Sequence, residues 1–334
     1  MSEVRVGLVG CGGMGRGLVS QLVTIEGAKL VAGADPAQES RDALANEQSV
    51  PTFASSAEML AGVELDGVIV ASPNRFHCPN TVEAAQAGKH VFCEKPMALT
   101  MADCRAMVAA CATAGVKLQI GQVLRYLPDF AHAIEQVRAG QLGEVKHGMI
   151  FRYGGPRADW GKSWRDDPSV VGHYLFEVAV HEIDFARQIF GKPVAVSGWD
   201  QNFDPKSPLW SQATTWVIEF EGGGVCVMVE GMFNPLGRSE VELAGTAGAL
   251  RFGWGGKHLF KSTAGDESSE VESGTIAQGC EDGRRRELRE WVEAIQSGGP
   301  CPIPGEEGMA NIEVALAALE ASRRKARVEL PLGD

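Results

Sequence analysis

Near the start of the chain an apolar run, Val4 to Val9, passes directly into Gly10, Gly12 and Gly15, spaced G-x-G-x-x-G, and a helical pattern follows. Taken alone the glycine spacing is weak. Between a strand and a helix, inside a βαβ unit, it specifies a dinucleotide-binding turn. Gly10 permits the tight turn, Gly12 lets the backbone approach a pyrophosphate, and Gly15 lets helix and strand pack closely. Gly13 and Met14 complete the turn, where the free N–H groups of a helix N-terminus face the anion. Asp35 ends the second apolar run, twenty residues beyond Gly15. A carboxylate there can accept both adenosine ribose hydroxyls and would repel a 2′-phosphate; capping the next helix is its other use. Pro36, Ala37 and Gln38 follow, with no arginine at once, so NAD is favoured over NADP.

The same pattern continues. Lys29–Ala34, Gly67–Ala71, His90–Lys95 and Lys117–Gly121 are short continuous apolar runs, as strands buried on both faces should be. Helical stretches separate them, one opening at Thr100 with Asp103 three residues on, a capping-box-like start. Strict alternation of this kind implies a parallel sheet, doubly wound by right-handed crossovers. After about Gln122 the character changes. A helix near Pro128–Ala139 leads to the strand EVKHGMIFRY; two hairpin patterns follow, TTWVIEFEGGGVCVMVEGMF and SEVELAGTAGALRFGW. Helices at Arg284–Gln296 and Glu306–Arg324 precede a final VELPL. The expected class is α/β: a doubly wound Rossmann domain over 1–122, then an α+β domain over 123–334 with a large, mostly antiparallel open sheet.

A chain of 334 residues normally divides into two domains. Its net charge of −12 argues against nucleic acid or an anionic membrane as partner. Eight cysteines include no C-x-x-C pair, and Cys11, Cys93, Cys104, Cys111 and Cys226 sit in apolar patterns, so thiols packed in a core are expected. The N-terminus enters a strand without the pattern of a signal peptide, and no run reaches the length of a membrane span. A cytoplasmic, reduced setting is expected.

The segment LFEVAVHEIDFARQIFG, Leu175 to Gly191, reads as a helix with Glu177, His181, Asp184 and Gln188 within about 60° of one another. That stripe is either a solvated face or a carboxylate and an imidazole aimed into a cleft. Asp184 and Gln188 are read as structural. HEIDF begins like a zinc motif, but Phe185 occupies the second histidine's place, so no metal site is expected.

With ASPNRFH (Ala71–His77), AGKHVFCEKP (Ala87–Pro96), WRDDP (Trp164–Pro168), GTAG (Gly245–Gly248) and PGEEG…EVALAALEAS in view, the chain resembles the Gfo/Idh/MocA family of glucose–fructose oxidoreductases, inositol dehydrogenases and rhizopine-catabolism proteins. The resemblance runs nearly end to end. It implies an NAD-dependent dehydrogenase or reductase acting on a CH–OH carbon of a sugar, cyclitol or related polyol, and a homo-oligomer, dimer or tetramer. It also implies cofactor contacts at Ser72, Asn74, His77, Glu94 and Lys95, with Lys95 the catalytic lysine and His181 the acid/base histidine. Glu177 stands where the family usually has aspartate, so its carboxylate either meets a substrate hydroxyl from a different place or only orients His181.

Lys95 stands at the carboxyl end of a strand, where ligands of doubly wound sheets bind; outside the resemblance, snorkelling would explain it equally. His181 can take the alcohol proton near neutral pH while Lys95 stabilises negative charge on the oxygen; exchanged roles stay open. Arg125, Arg152, Trp164, Arg165 and His173 lie on segments expected to border the substrate. Two other functions use the same features: a redox-neutral glycosidase that oxidises a ring hydroxyl transiently with NAD, and a non-catalytic sensor of NAD or sugar. The sensor ranks last, because it could have lost Lys95 and His181.

Overall fold

The computed structural model describes residues 3–155, 164–203, 212–263, 265 and 268–333. Two compact units share the chain. The first holds residues up to Val123 with Ser169–Gly172 and Glu281–Ile312; the second holds Leu124–Pro168, His173–Cys280 and Glu313 onward.

In the first unit, β1 (Val4–Val9), β2 (Ala28–Ala34), β3 (Thr52–Phe53), β4 (Gly67–Val70), β5 (His90–Cys93) and β6 (Leu118–Ile120) form a parallel sheet. Their order is β3-β2-β1-β4-β5-β6, the doubly wound arrangement expected from the alternating pattern. The helices α1 (Gly13–Leu22), α2 (Gln38–Gln48), α3 (Ser56–Gly62), α4 (His77–Gln86) and α5 (Met101–Ala114) connect the strands. Thr100 caps α5: its Oγ1 accepts the Asp103 N–H at 3.1 Å and donates to the Asp103 carboxylate at 2.7 Å, as the Thr-x-x-Asp spacing anticipates.

The second unit has a nine-stranded sheet of β7 (Val145–Tyr153), β8 (Pro193–Asn202), β9 (Gln212–Phe220), β10 (Val225–Gly231), β11 (Arg238–Gly245), β12 (Gly248–Gly253), β13 (Lys257–Ser262), β14 (Ser268–Glu272) and β15 (Val328–Glu329), in the order β14-β13-β12-β11-β7-β10-β9-β8-β15. All pairs are antiparallel except β7 with β10. Three strands of this sheet escaped the pattern reading, as did the two-residue β3 of the first. β8 starts on a proline and carries Gly198, while β13 and β14 pair at the polar edge of the sheet, where apolar alternation is not needed. The helices are α6 (Pro128–Arg138), α8 (Val180–Phe190) and the short α9 (Ser273–Ala277); the single turn α7 (Pro168–Val171) lies in the first unit from Ser169 on. Phe130 of α6, Phe185 of α8 and Phe252 of β12 meet edge to face, with ring centroids 5.1 and 5.3 Å from Phe130.

Leu175–Ala179, just before α8, is wound as a π-helix, so the single α-helix expected from Leu175 is two differently wound segments. Nor is the polar stripe a solvated face. Asp184 and its neighbour Glu182 are both fully buried, and Glu177 is 6% exposed.

The chain returns to the first unit in α10 (Gly283–Ser297) and runs into α11 (Gly305–Arg324), inside which the division between units falls. Asp282 caps α10, its carboxylate accepting the N–H groups of Arg284 and Arg285. Trp291 of α10 is fully buried against Phe92 of β5, ring centroids 5.9 Å apart. A Cβ at Gly67 of β4 would come within 2.8 Å of the Trp291 ring, so that glycine makes room for the indole. Among the described residues no helix is long and apolar enough to cross a membrane. Trp291→Ala should leave a cavity and lower unfolding free energy by about 3–5 kcal/mol, measured by urea denaturation followed by fluorescence of the remaining tryptophans and by circular dichroism.

Candidate active site

Why the first turn must be glycine is visible in what a side chain would strike. Gly10 has φ +95°, and a Cβ there would lie 2.6 Å from main-chain atoms of Ala71 and Ser72. A Cβ at Gly15 would lie 2.0 Å from the Gly10 carbonyl oxygen. At Gly12, the N-cap of α1, a Cβ would meet nothing within 4 Å, and no side chain caps the helix. An N-terminus with neither a side-chain cap nor a Cβ at its first position fits the close approach of a pyrophosphate. Asp35, directly after β2, is held at the same place. Its Oδ2 accepts the Cys11 N–H and its Oδ1 the Ala37 N–H, each at 2.8 Å. The donors and the carboxylate fit the phosphates and ribose of a dinucleotide.

The residues expected after β4 and β5 are joined through one imidazole. His77 is buried, with Nδ1 2.6 Å from the Pro96 carbonyl oxygen and Nε2 2.7 Å from that of Ser72. It ties the loop after β4 to the turn that carries Lys95, and its ring nitrogens are engaged by the protein. Asn80 donates to the Ser72 hydroxyl at 2.9 Å, and Asn74, also buried, donates to the Val171 carbonyl at 3.0 Å. The Glu94 carboxylate accepts the Lys95 N–H at 3.1 Å, and Lys95 itself is half-buried after the last residue of β5, joined to Pro96 by a cis peptide bond.

In the second unit, buried carboxylates on one helical segment meet arginines from elsewhere in the chain. Glu177, in the π-helical turn, accepts Arg165 Nε at 2.8 Å, and the Arg165 guanidinium lies 4.3 Å over the Trp164 ring. Three of the expected substrate-side residues are thus brought together, and the Glu177 charge has a fixed partner. Asp184 accepts Nε and Nη2 of Arg125, both at 2.6 Å. Glu182 accepts Arg152 Nη1 at 2.6 Å. Arg125 and Arg152, expected beside the substrate, therefore each spend hydrogen bonds on a buried acid. His173 accepts the Leu175 N–H at Nδ1 (3.2 Å) and lies 2.9 Å from the Asp200 carboxylate and 2.7 Å from the Gln212 amide through Nε2, which anchors the start of the helical segment to β8 and β9. His181 is half-buried in the first turn of α8.

A cavity of about 450 Å³ opens within this unit, lined by Arg152, Tyr153, Tyr174, Val178, Ser239 and Trp254 among others. The Arg152 guanidinium sits 4.3 Å over the Trp254 ring. A strand paired with β7 carries a residue the motif reading missed. Glu230 of β10 is opposite Arg152 of β7 in register, fully buried, and neither carboxylate oxygen has a hydrogen-bond partner among the described residues. Burial pushes its carboxyl well above the usual range; Glu182 adds to the rise and Arg152 opposes it. The signal in the sequence was parity, since Cys226 and Met228 point inward on β10 and Glu230 follows the same alternation.

A doubly wound nucleotide-binding unit joined to an open-sheet unit, with glycine turn and strand-end lysine in place, defines a two-domain dinucleotide-dependent oxidoreductase. Residues 4–122 match the family model described as "Oxidoreductase family, NAD-binding Rossmann fold", and residues 134–330 match "Oxidoreductase family, C-terminal alpha/beta domain". The chain belongs to the Gfo/Idh/MocA oxidoreductase family. It is similar to scyllo-inositol 2-dehydrogenase (NAD(+)) of Bacillus subtilis, 26% identical over 98% of this chain and 96% of that one. It is also similar to 2,7-anhydro-N-acetylneuraminate hydratase of Escherichia coli, 27% identical over 82% and 77%. Among solved structures, aldose-aldose oxidoreductase from Caulobacter crescentus, complexed with glycerol, superposes with a TM-score of 0.87 at 25% identity, covering 98% of this chain and 100% of that one. The protein is an enzyme of this oxidoreductase family with NAD as cofactor.

Because the folded chain holds the Glu230 proton more tightly than the unfolded chain does, this residue's contribution to stability is full below the ordinary glutamate value of 4.5 and is lost as pH rises toward the raised one. Glu230→Gln keeps the shape and removes the titration. Between about pH 5 and about pH 8, urea denaturation should show wild type losing more stability than this variant; parallel losses would place the charged form in the native protein.

Proposed function

We propose that the enzyme is an NAD-dependent dehydrogenase or reductase of a sugar, cyclitol or related polyol, with Lys95 and His181 serving the reacting carbinol. The observation that carries this reading is the Arg165–Glu177 pair. With the Glu177 charge met by a guanidinium, the imidazole of His181 is the group of that helical face suited to exchange a proton near neutral pH. Lys95, on a turn fixed by His77, stabilises negative charge on the same oxygen. Glu177 and Arg165 then orient hydroxyl groups and the histidine and leave proton transfer to His181. Bound nicotinamide supplies the site where the substrate's hydride is exchanged. The cavity beside Arg152 and Trp254 offers polar donors and an aromatic face, a combination suited to a polyhydroxylated ligand.

A redox-neutral reading has its own support in the hydratase relative, since adding water to a substrate causes no net oxidation. In that version the enzyme oxidises a ring hydroxyl only transiently and cleaves or hydrates the sugar. A homo-oligomer is supported by the sheet of the second unit. Met149, Phe151, Val217, Val227 and Val229 share the half-buried face of β7, β9 and β10, and Trp199 of β8, in line with Thr215, Val229 and Phe151, is 58% exposed.

Screening polyols with NAD for absorbance of the reduced cofactor should identify a substrate, and Lys95→Ala and His181→Ala should each lower turnover by about 100-fold or more; wild-type turnover in either variant removes that residue from the site. Product formation without reduced cofactor would favour the redox-neutral reading. Val227→Lys, placed at the centre of the apolar face, should reduce the molecular mass found by light scattering; an unchanged mass places the subunit contact elsewhere.

A further inference from the structure

The mouth of the nucleotide turn contains a cation that stands six residues beyond Asp35 in sequence. Arg41, in the first turn of α2, folds back over the end of β2. Its Nη1 donates to the carbonyl oxygens of Asp35 at 2.6 Å and Pro36 at 2.9 Å, and its Nη2 donates to the Gln38 side chain. Guanidinium and carboxylate thus occupy one turn: the Asp35 carboxylate is bound to the Ala37 N–H, and the Arg41 head is bound to the Asp35 carbonyl.

The state of its charge sets Arg41 apart from its neighbour. Arg16, at the start of α1, is ion-paired with Glu47 of α2. Arg41 makes its hydrogen bonds to two carbonyls and an amide, and no carboxylate pairs with it among the described residues. Of its five N–H groups, three are used. Nε–H and the second Nη2–H have no acceptor among the described residues. The Cys11 thiol records the same local field. Burial pushes it up to about 12, with Asp35 raising it and Arg41 and Arg16 lowering it.

A 2′-phosphate on the adenosine ribose would meet both groups, repelled by the carboxylate and bonded by a guanidinium that has donors to give. We propose that Arg41 is a specificity-determining residue at the adenosine 2′ position, giving this NAD site an affinity for 2′-phosphorylated dinucleotide that Asp35 holds in check. This rests on Asp35 being the ribose ligand. The consequence is an enzyme one substitution away from accepting NADP, because the second half of a 2′-phosphate site is already present.

The test is a fluorescence titration of NADH and NADPH against wild type, Arg41→Gln, Asp35→Ser and the double variant, with circular dichroism of each. Asp35→Ser should tighten NADPH by about tenfold or more, and adding Arg41→Gln should undo most of that gain. In the wild-type background, Arg41→Gln should weaken NADPH and leave NADH within about twofold, while Arg41→Lys should retain part of the NADPH binding. NADPH binding to Asp35→Ser should also weaken with added salt more steeply than NADH binding does. The proposal is overturned if Arg41→Gln leaves NADPH unchanged in both backgrounds, or if it weakens NADH and NADPH equally, which marks a purely structural role. If Asp35→Ser changes neither cofactor while Arg41→Gln still weakens NADPH selectively, the role given to Asp35 fails and that of Arg41 stands.

Discussion

Helix α1 leaves the first strand so closely that Gly15 lies against the Gly10 carbonyl with no room for a Cβ. Much of the first unit follows from that approach. It fixes Gly10 in a conformation few other residues adopt and presses it against the Ala71–Ser72 backbone, so the loop after β4 is set by the turn after β1. From there His77 carries the constraint to Pro96, and hence to the residue before it, Lys95. Cys11, inside the turn, positions the Asp35 carboxylate through its N–H. The phosphate end, the ribose end and the lysine are parts of one chain of short contacts. A disturbance at the glycine turn would reach all three.

The second unit rests on a different kind of constraint. Glu177, Glu182 and Asp184 are almost or fully removed from water, and each is met by an arginine from a different segment. Pairs of this kind are poor sources of net stability, because desolvating two charges offsets most of their attraction. Breaking one is costly, however, since it strands the other charge in the interior. Such pairs give register: Arg125, Arg152 and Arg165 can be satisfied only when the helical segment holds one position. Glu230 is the exception that completes the picture. A further carboxyl beside a single arginine is best accommodated with its proton on.

How far this was legible in sequence depends on the kind of interaction. The parallel sheet could be read because its strands are buried on both faces and so are apolar without interruption, and the glycine turn because its spacing has a steric cause. The Thr100 cap and the hairpins around Gly222–Gly224 and Thr246–Ala247 were equally plain, their signals lying within a few residues. The ion pairs were not. Arg125 and Asp184 are 59 positions apart, and nothing local marks an arginine as structural when it looks equally suited to a ligand. Arg41 was hidden by six residues of sequence that one turn of helix folds away. The strands β13 and β14 carry too little apolar alternation to be seen, because they close the edge of a sheet and cover little of its core.

The π-helical turn at Leu175–Ala179 bears on how this segment can change through evolution. A π turn holds one residue more than the α turn it replaces. The wide turn absorbs that residue locally, so deleting it would restore regular winding and leave the side chains of α8 facing as they do. A deletion inside α8 itself has no such turn to absorb it: the side chains beyond it would swing by about 100°, and the pairing of Glu182 and Asp184 with Arg152 and Arg125 would be lost. Drift in length is therefore open to the turn before α8 and closed to α8 itself, where two buried carboxylates must keep their facing.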